Sequence, residues 1–274
     1  MRDVLRLVRA PNLLLAALGV LAGGWIALGT LSTPAVLGFA ALAAVGFGAA
    51  GNALNDLWDR GADRVNHPAG TRPLAAGRLA PETAHVCIVG GTLLGLAAAG
   101  LVSGSAVLVG AIALTVMFVY SPLLKRRGAA GNVAVALIAG LPLAFGALAV
   151  GRPSAGLVPW TLAAWLHLVR EIVKDLDDQV GDQALGRRTL PLVLGPERTA
   201  RVAAVLAAAF LPVSLVLPAR AHYGTGYFLI AWLAQVAVLA VASRLLTGHV
   251  RGNSLLLKGA MLVGTVALVA GRVR

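Results

Sequence analysis

The chain has 274 residues, 58% of them hydrophobic and 12% charged, with a mean hydropathy of +0.84 and a formal net charge of +12. Soluble domains carry roughly 25% charged residues, so the composition excludes a soluble globular protein and specifies a membrane protein. The single cysteine, Cys87, excludes an internal disulfide and a cysteine-built metal site.

Apolar runs of about 17–25 residues can each cross the hydrocarbon as a helix. Nine such runs start near residues 12, 34, 82, 105, 130, 157, 198, 226 and 254, separated by breaks such as LSTP, SGS, SPLLKRRG and GRPSAG. The first follows Arg2, Arg6 and Arg9 as a signal peptide would, but no hydrophilic domain comes after it, so it is read as the first spanning helix. The expected fold is all-α: a polytopic bundle of nine transmembrane helices, with residues 1–274 forming a single domain. With nine spans, 19 of the 23 Lys and Arg share the side of the N-terminus, leaving Arg152, Arg220, Arg272 and Arg274 opposite. That bias predicts a multi-pass protein of the cell membrane with a cytoplasmic N-terminus. It also accounts for most of the basicity. No basic stripe with interleaved aromatics is present, so nucleic acid is not an expected partner.

The chain has only 11 acids, and eight of them fall in two clusters at the cytoplasmic ends of the second and sixth runs. NDLWDRGAD (55–63) superposes without a gap on KDLDDQVGD (174–182), placing Asp56 on Asp175, Asp59 on Asp178 and Asp63 on Asp182, an offset of 119 each time. TRPL (71–74) is echoed by TLPL (189–192). Two related halves therefore face a shared centre, a recurrent membrane architecture. At about 100° per residue, positions i, i+3 and i+7 fall within roughly 60° of arc, so each trio is expected to share one face. Asn52 and Asn55 join the first face and Glu171 the second, Lys174 takes the position of Asn55, and Asp177 points away toward solvent. Gly61 and Gly181 are expected to bend the chain near its last acid.

Unpaired carboxylates in the bilayer are costly, so the clusters belong in a polar funnel, where mutual repulsion calls for cations. Hard oxygen ligands without His or Cys suit Mg²⁺, which shares its remaining positions with water and phosphate oxygens. Two such faces around one cavity make a clamp for a diphosphate. Lys125, Lys174, Arg72 and Arg187 lie in the same loops to neutralise its outer oxygens. Behind the clamp lies only apolar helix, which fits an isoprenoid tail. Tyr120 suits an interfacial anchor and a catalytic aromatic equally, and the scattered histidines have no ligand spacing. A Mg²⁺ or proton-coupled transporter is the alternative of a different class, but eight of the 11 acids lie in the two clusters rather than along a path across the membrane.

These motifs resemble the UbiA superfamily of intramembrane prenyltransferases. The first matches as Asn55-Asp56-x-x-Asp59-x-x-x-Asp63, followed by Asn66-x-Pro68 and Arg72-Pro73, and the second as Asp175-x-x-Asp178-x-x-x-Asp182. Arg170-Glu171-x-x-Lys174-Asp175, Gly181-Asp182 and Gly186-x-x-Thr189-Leu190-Pro191 are most similar to the branch that adds a second geranylgeranyl chain to geranylgeranylglyceryl phosphate in ether-lipid synthesis. Arg9-x-Pro11-Asn12 and Tyr120-Ser121-Pro122-x-x-Lys125 are also similar to family segments. The resemblance implies a Mg²⁺ cofactor held by Asn55, Asp56, Asp59, Asp63, Asp175, Asp178 and Asp182, and a geranylgeranyl diphosphate donor. It further implies that Lys125 assists the departing diphosphate, that Tyr120 faces the carbocation, and that Glu171 or the diphosphate takes the acceptor's proton. Arg9, Asn12, Asn52, Arg64, Arg72, Arg170 and Lys174 would line the substrates. An aromatic acceptor of quinone or pigment synthesis is the alternative to a lipid phosphate, and membrane lipids are the surrounding partner.

Overall fold

Proline opens several of the long helices. It occupies the first turn of α2 (Ala10–Leu28), α3 (Pro34–Trp58), α5 (Pro81–Gly100) and α11 (Pro196–Arg220), where its missing N–H costs nothing and its fixed φ is already helical. A computed structural model describes residues 1–66, 70–124, 128–184 and 186–273, which form helices and their connections with no strand among them. A short α1 (Arg2–Leu7) precedes α2, and α4 (Arg60–Asn66) follows α3. Next come α6 (Gly104–Val119), a π-helical turn (Tyr120–Leu124), α7 (Ala129–Ala149), α8 (Leu157–Asp177), the short α9 (Gln179–Ala184) and α10 (Leu190–Leu194). After α11 the chain ends with α12 (Thr225–Leu246) and α13 (Asn253–Ala270).

A helix begins within two residues of each expected start. Seven of these helices, α2, α3, α5, α7, α11, α12 and α13, are long and apolar enough to cross a membrane. α6 has 16 residues and is shorter, and α8 is polar over its last two turns. The protein is an integral membrane protein, and leucines such as Leu93, Leu108 and Leu229 are turned outward, as lipid contact requires.

Lipid removes the hydrophobic drive between helices, so small residues that let backbones approach become the packing currency. Gly46 of α3 lies against the backbone of Gly91 and Gly95 on α5, and Gly146 of α7 lies against the Val20 carbonyl of α2. A methyl at either glycine would strike backbone. In the second half α8, α11, α12 and α13 enclose a larger core around Val169, Val173, Val238 and Leu257. α3 and α8 make little direct contact along their lengths. A cavity separates them, and α4 packs on α9 across its mouth.

Candidate active site

Both acidic helices break at the same place in the repeat. α3 ends at Trp58 with Asp59 as its C-cap, and α8 ends at Asp177 with Asp178 as its C-cap. The chain then turns into α4 and α9, each carrying the last acid of its motif. The backbone pattern is duplicated: Asp59 N–H donates to Asn55 O and Asp63 N–H to Asp59 O, while Asp178 N–H donates to Lys174 O and Asp182 N–H to Asp178 O. The two short helices are then tied together. Asn66 Nδ2 donates to Asp178 O at 3.2 Å, and its Oδ1 accepts from Gly181 N–H at 2.8 Å. A Cβ at Gly181 would displace the Asn66 amide from this position.

These elements frame one cavity of about 1440 Å³. Its mouth is polar, lined by Arg9, Asn12, Asn52, Asn55, Asp59, Asp63, Arg72, Tyr120, Arg170, Glu171, Lys174, Asp178 and Asp182. Its body is apolar, with Phe47, Met117, Leu143, Phe145, Leu162, Leu166 and Phe210 among the walls. Such a chamber exceeds the ~300–1,000 Å³ of most small-molecule sites. The wall between α2 and α13 carries Leu15, Leu18, Leu262 and Val266, which are also exposed on the outside.

Not every expected site residue faces this space. Asp56 is 1% exposed and lies off the cavity wall, accepting from Arg9 at 2.5 Å and Arg72 at 3.0 Å. Asp175 is likewise buried, accepting from Asn132 of α7 at 2.8 Å. The expectation that each trio shares one face is corrected here. The stripe on the cavity side steps by four, Asn55 to Asp59 to Asp63, and the neighbouring position falls about 100° aside. Arg64 is also turned away, donating to Ala75 O at 3.2 Å rather than lining the cavity. Lys125 lies outside the described residues. Asp177 is exposed, as its position on the helix predicts.

The cations are arranged with equal regularity. Arg72, in the loop after α4, reaches back to Asp56 and to Asp63, the latter at 3.6 Å. Arg187, in the loop after α9, bridges the repeats: Nη2 donates to Asp59 and Nη1 to Asp182 at 2.8 Å. Burial opposes the charge on Arg187, but Asp59 and Asp182 outweigh it and hold its pKa above the usual guanidinium value. Glu171 is occupied on both oxygens, by Arg170 at 3.0 Å and Lys174 at 2.9 Å. Arg187 enters the sequence pattern only as one loop cation among several. Asn66 enters the sequence pattern only through the Asn66-x-Pro68 match and Asn132 not at all, since each acts through a partner more than 40 residues away.

The donor set fits Mg²⁺. Asp182 Oδ2 is buried with no hydrogen-bond partner among the described residues, and Asp59, Asp63 and Asp178 add hard oxygens to the same wall. Among the described residues no three such side chains converge tightly enough to enclose an ion by themselves. Mg²⁺ accepts that arrangement, because it is bound by one or two carboxylates and keeps water and phosphate oxygens in its other positions.

Comparison with known proteins agrees with this geometry. The chain is 36% identical over 274 residues to digeranylgeranylglyceryl phosphate synthase of Halobacterium salinarum, covering 99% of this chain and 97% of that one. A solved structure from work on digeranylgeranylglyceryl phosphate synthase in membranes superposes with a TM-score of 0.79 at 22% identity, over 99% of this chain and 98% of that chain. A UbiA homologue from Archaeoglobus fulgidus, solved with GPP and Mg²⁺ bound, gives a TM-score of 0.66 at 18% identity, over 98% of both chains. The UbiA prenyltransferase family model matches residues 16–262. With two acid-edged helix breaks facing one oily chamber and a family match over most of its length, the chain belongs to the UbiA prenyltransferase family.

Proposed function

We propose that this enzyme transfers a geranylgeranyl group from geranylgeranyl diphosphate to the hydroxyl of geranylgeranylglyceryl phosphate, releasing diphosphate, with Mg²⁺ as cofactor. The observation that carries the proposal is a single cavity whose mouth holds both acidic motifs and whose body is long and apolar. Its apolar body has room for two long chains. The Halobacterium relative's name supports the lipid acceptor, and the Archaeoglobus homologue's bound GPP and Mg²⁺ support the donor and the metal. The charge bias of the loops supports a mouth on the cytoplasmic side of the cell membrane.

Asn55, Asp59 and Asp63 from one repeat and Asp178 and Asp182 from the other would hold Mg²⁺, with Asp56 and Asp175 buttressing the two helices from behind. When bound, the metal supplies positive charge to the oxygens of the departing diphosphate. Arg72 adds donors to the same oxygens, the role that the sequence also gives to Lys125. The apolar walls exclude water, so the allylic cation that forms as the C1–O bond breaks meets the acceptor rather than hydrolysis. Tyr120 presents its ring at the neck, where a π face favours a cation. The acceptor oxygen bonds to C1, the electron pair of the broken bond leaves with diphosphate, and the hydroxyl proton goes to a diphosphate oxygen. Glu171 is a poor base for that proton, since both of its oxygens already pair with cations.

The test is mass spectrometry of lipids recovered after incubating the purified protein with geranylgeranyl diphosphate, geranylgeranylglyceryl phosphate and Mg²⁺. A doubly alkylated product is expected, and Asp59→Asn and Asp178→Asn should each lower its rate by about 10²–10³, as losing transition-state charge stabilisation does. Transfer to an aromatic acceptor in place of the lipid, or near-normal rates in both variants, would overturn the proposal.

A further inference from the structure

α13 packs against both α8 and α2 and brings Lys258 to the cavity wall beside Arg9, Arg170 and Lys174. We infer that these four side chains form a second anion site, separate from the acidic clamp, which takes the phosphate monoester headgroup of the acceptor lipid.

The four come from three elements that all line the cavity. Arg9 caps the start of α2, Arg170 and Lys174 lie in the last two turns of α8, and Lys258 lies in the second turn of α13. At a rise of about 1.5 Å per residue, Arg170 and Lys258 both sit roughly 8–11 Å in from the cytoplasmic ends of their helices. They therefore share a depth. All four line the cavity, and Lys258 lies within electrostatic reach of the other three and of Glu171. Like charges this close need an anion between them. Asp56 serves Arg9 and Arg72 together, and Glu171 serves Arg170 and Lys174 together. Lys258 makes no hydrogen bond or ion pair among the described residues. The Nε groups of Arg9 and Arg170 are buried with no hydrogen-bond partner among the described residues, so donors as well as charge remain unspent.

The four cations thus outnumber the two carboxylates that pair with them, one of which Arg72 shares, an excess that a phosphate monoester, with about −1.5 to −2 at neutral pH, offsets. A diphosphate at the clamp is flanked by acids. Here the walls are basic, so two anionic groups can occupy the cavity at once without sharing counter-ions. The chain of the acceptor then runs into the apolar body beside that of the donor.

The assignment presupposes the transfer proposed above and is tested by binding, which does not depend on turnover. The full-length protein in nanodiscs is titrated with a single-chain alkylglycerol phosphate, with the same lipid lacking phosphate, with inorganic phosphate, and with prenyl diphosphate plus Mg²⁺. The phosphorylated lipid should bind wild type about tenfold or more tighter than its neutral counterpart, the scale of a lost charge-assisted contact. Lys258→Gln should erase that preference while leaving prenyl diphosphate affinity in place, and Lys258→Arg should restore most of it. An unchanged preference in Lys258→Gln, a parallel loss of prenyl diphosphate binding, or inorganic phosphate binding as tightly as the lipid would each overturn the assignment. If wild type binds the lipid as described but transfers nothing to it, the proposed function fails while the headgroup site stands.

Discussion

Arg187 joins the two halves of the repeat through one side chain, since its guanidinium touches Asp59 of the first motif and Asp182 of the second. Only 7% of that side chain is exposed, so removing it takes a shared cation from two carboxylates in a poorly hydrated neck. Losing one partner of a buried ion pair costs about 3–5 kcal/mol. Arg187→Gln should therefore melt at a distinctly lower temperature than wild type in EDTA and recover much of the difference in Mg²⁺. Equal melting of the two proteins in EDTA would show that the bridge contributes no stability. At this scale the sequence is informative about which acids gather near the cavity mouth, because the offset of 119 repeats at three positions. It does not show which way each one points. Asp56 and Asp175 are one residue from the cavity-facing stripe, and what claims them, Arg9 and Asn132, is brought up by folding from far along the chain. Lys258 had one visible sign, a lysine inside an apolar run, which is costly unless it serves a polar space.

The elements that hold the acids are short. α4 and α9 rest on each other through Asn66, whose amide both donates to Asp178 O and accepts from Gly181 N–H. Each such bond is worth about 1 kcal/mol net. Asn66→Ala should accordingly raise the Mg²⁺ concentration for half-maximal transfer by about tenfold, because the two acid edges lose their fixed spacing. An Mg²⁺ titration of lipid transfer measures this, and an unaltered midpoint would mean the spacing is set elsewhere. Element starts were legible to within two residues because proline, glycine and hydropathy change mark them together. The breaks at Asp59 and Asp178 were not. Gly61 and Gly181 suggested a bend a few residues later, whereas the chain leaves the helix at the middle acid and Gly181 serves close packing.

Across the whole molecule, the bundle surrounds a chamber that reaches from the acidic mouth to Ala231 and Tyr227 near the far end of α12. Chain length is then a question of depth. Ala231→Phe should shift preference toward shorter prenyl diphosphates, with an overpacking cost of about 1–3 kcal/mol that a melting curve checks separately. Transfer rates measured across donors of increasing length give the answer, and an unchanged length profile in a well-folded variant would place the floor elsewhere. Composition made the membrane setting and the all-helical class legible, but a cavity between helices leaves no trace in hydropathy, since its walls and a lipid-facing surface use the same residues. One further consequence follows from how little α3 and α8 touch. The last carboxylate of each motif, Asp63 or Asp182, stands on a short helix beyond the long one, so the distance between these two depends on the seat of α4 on α9 more than on how the long helices pack.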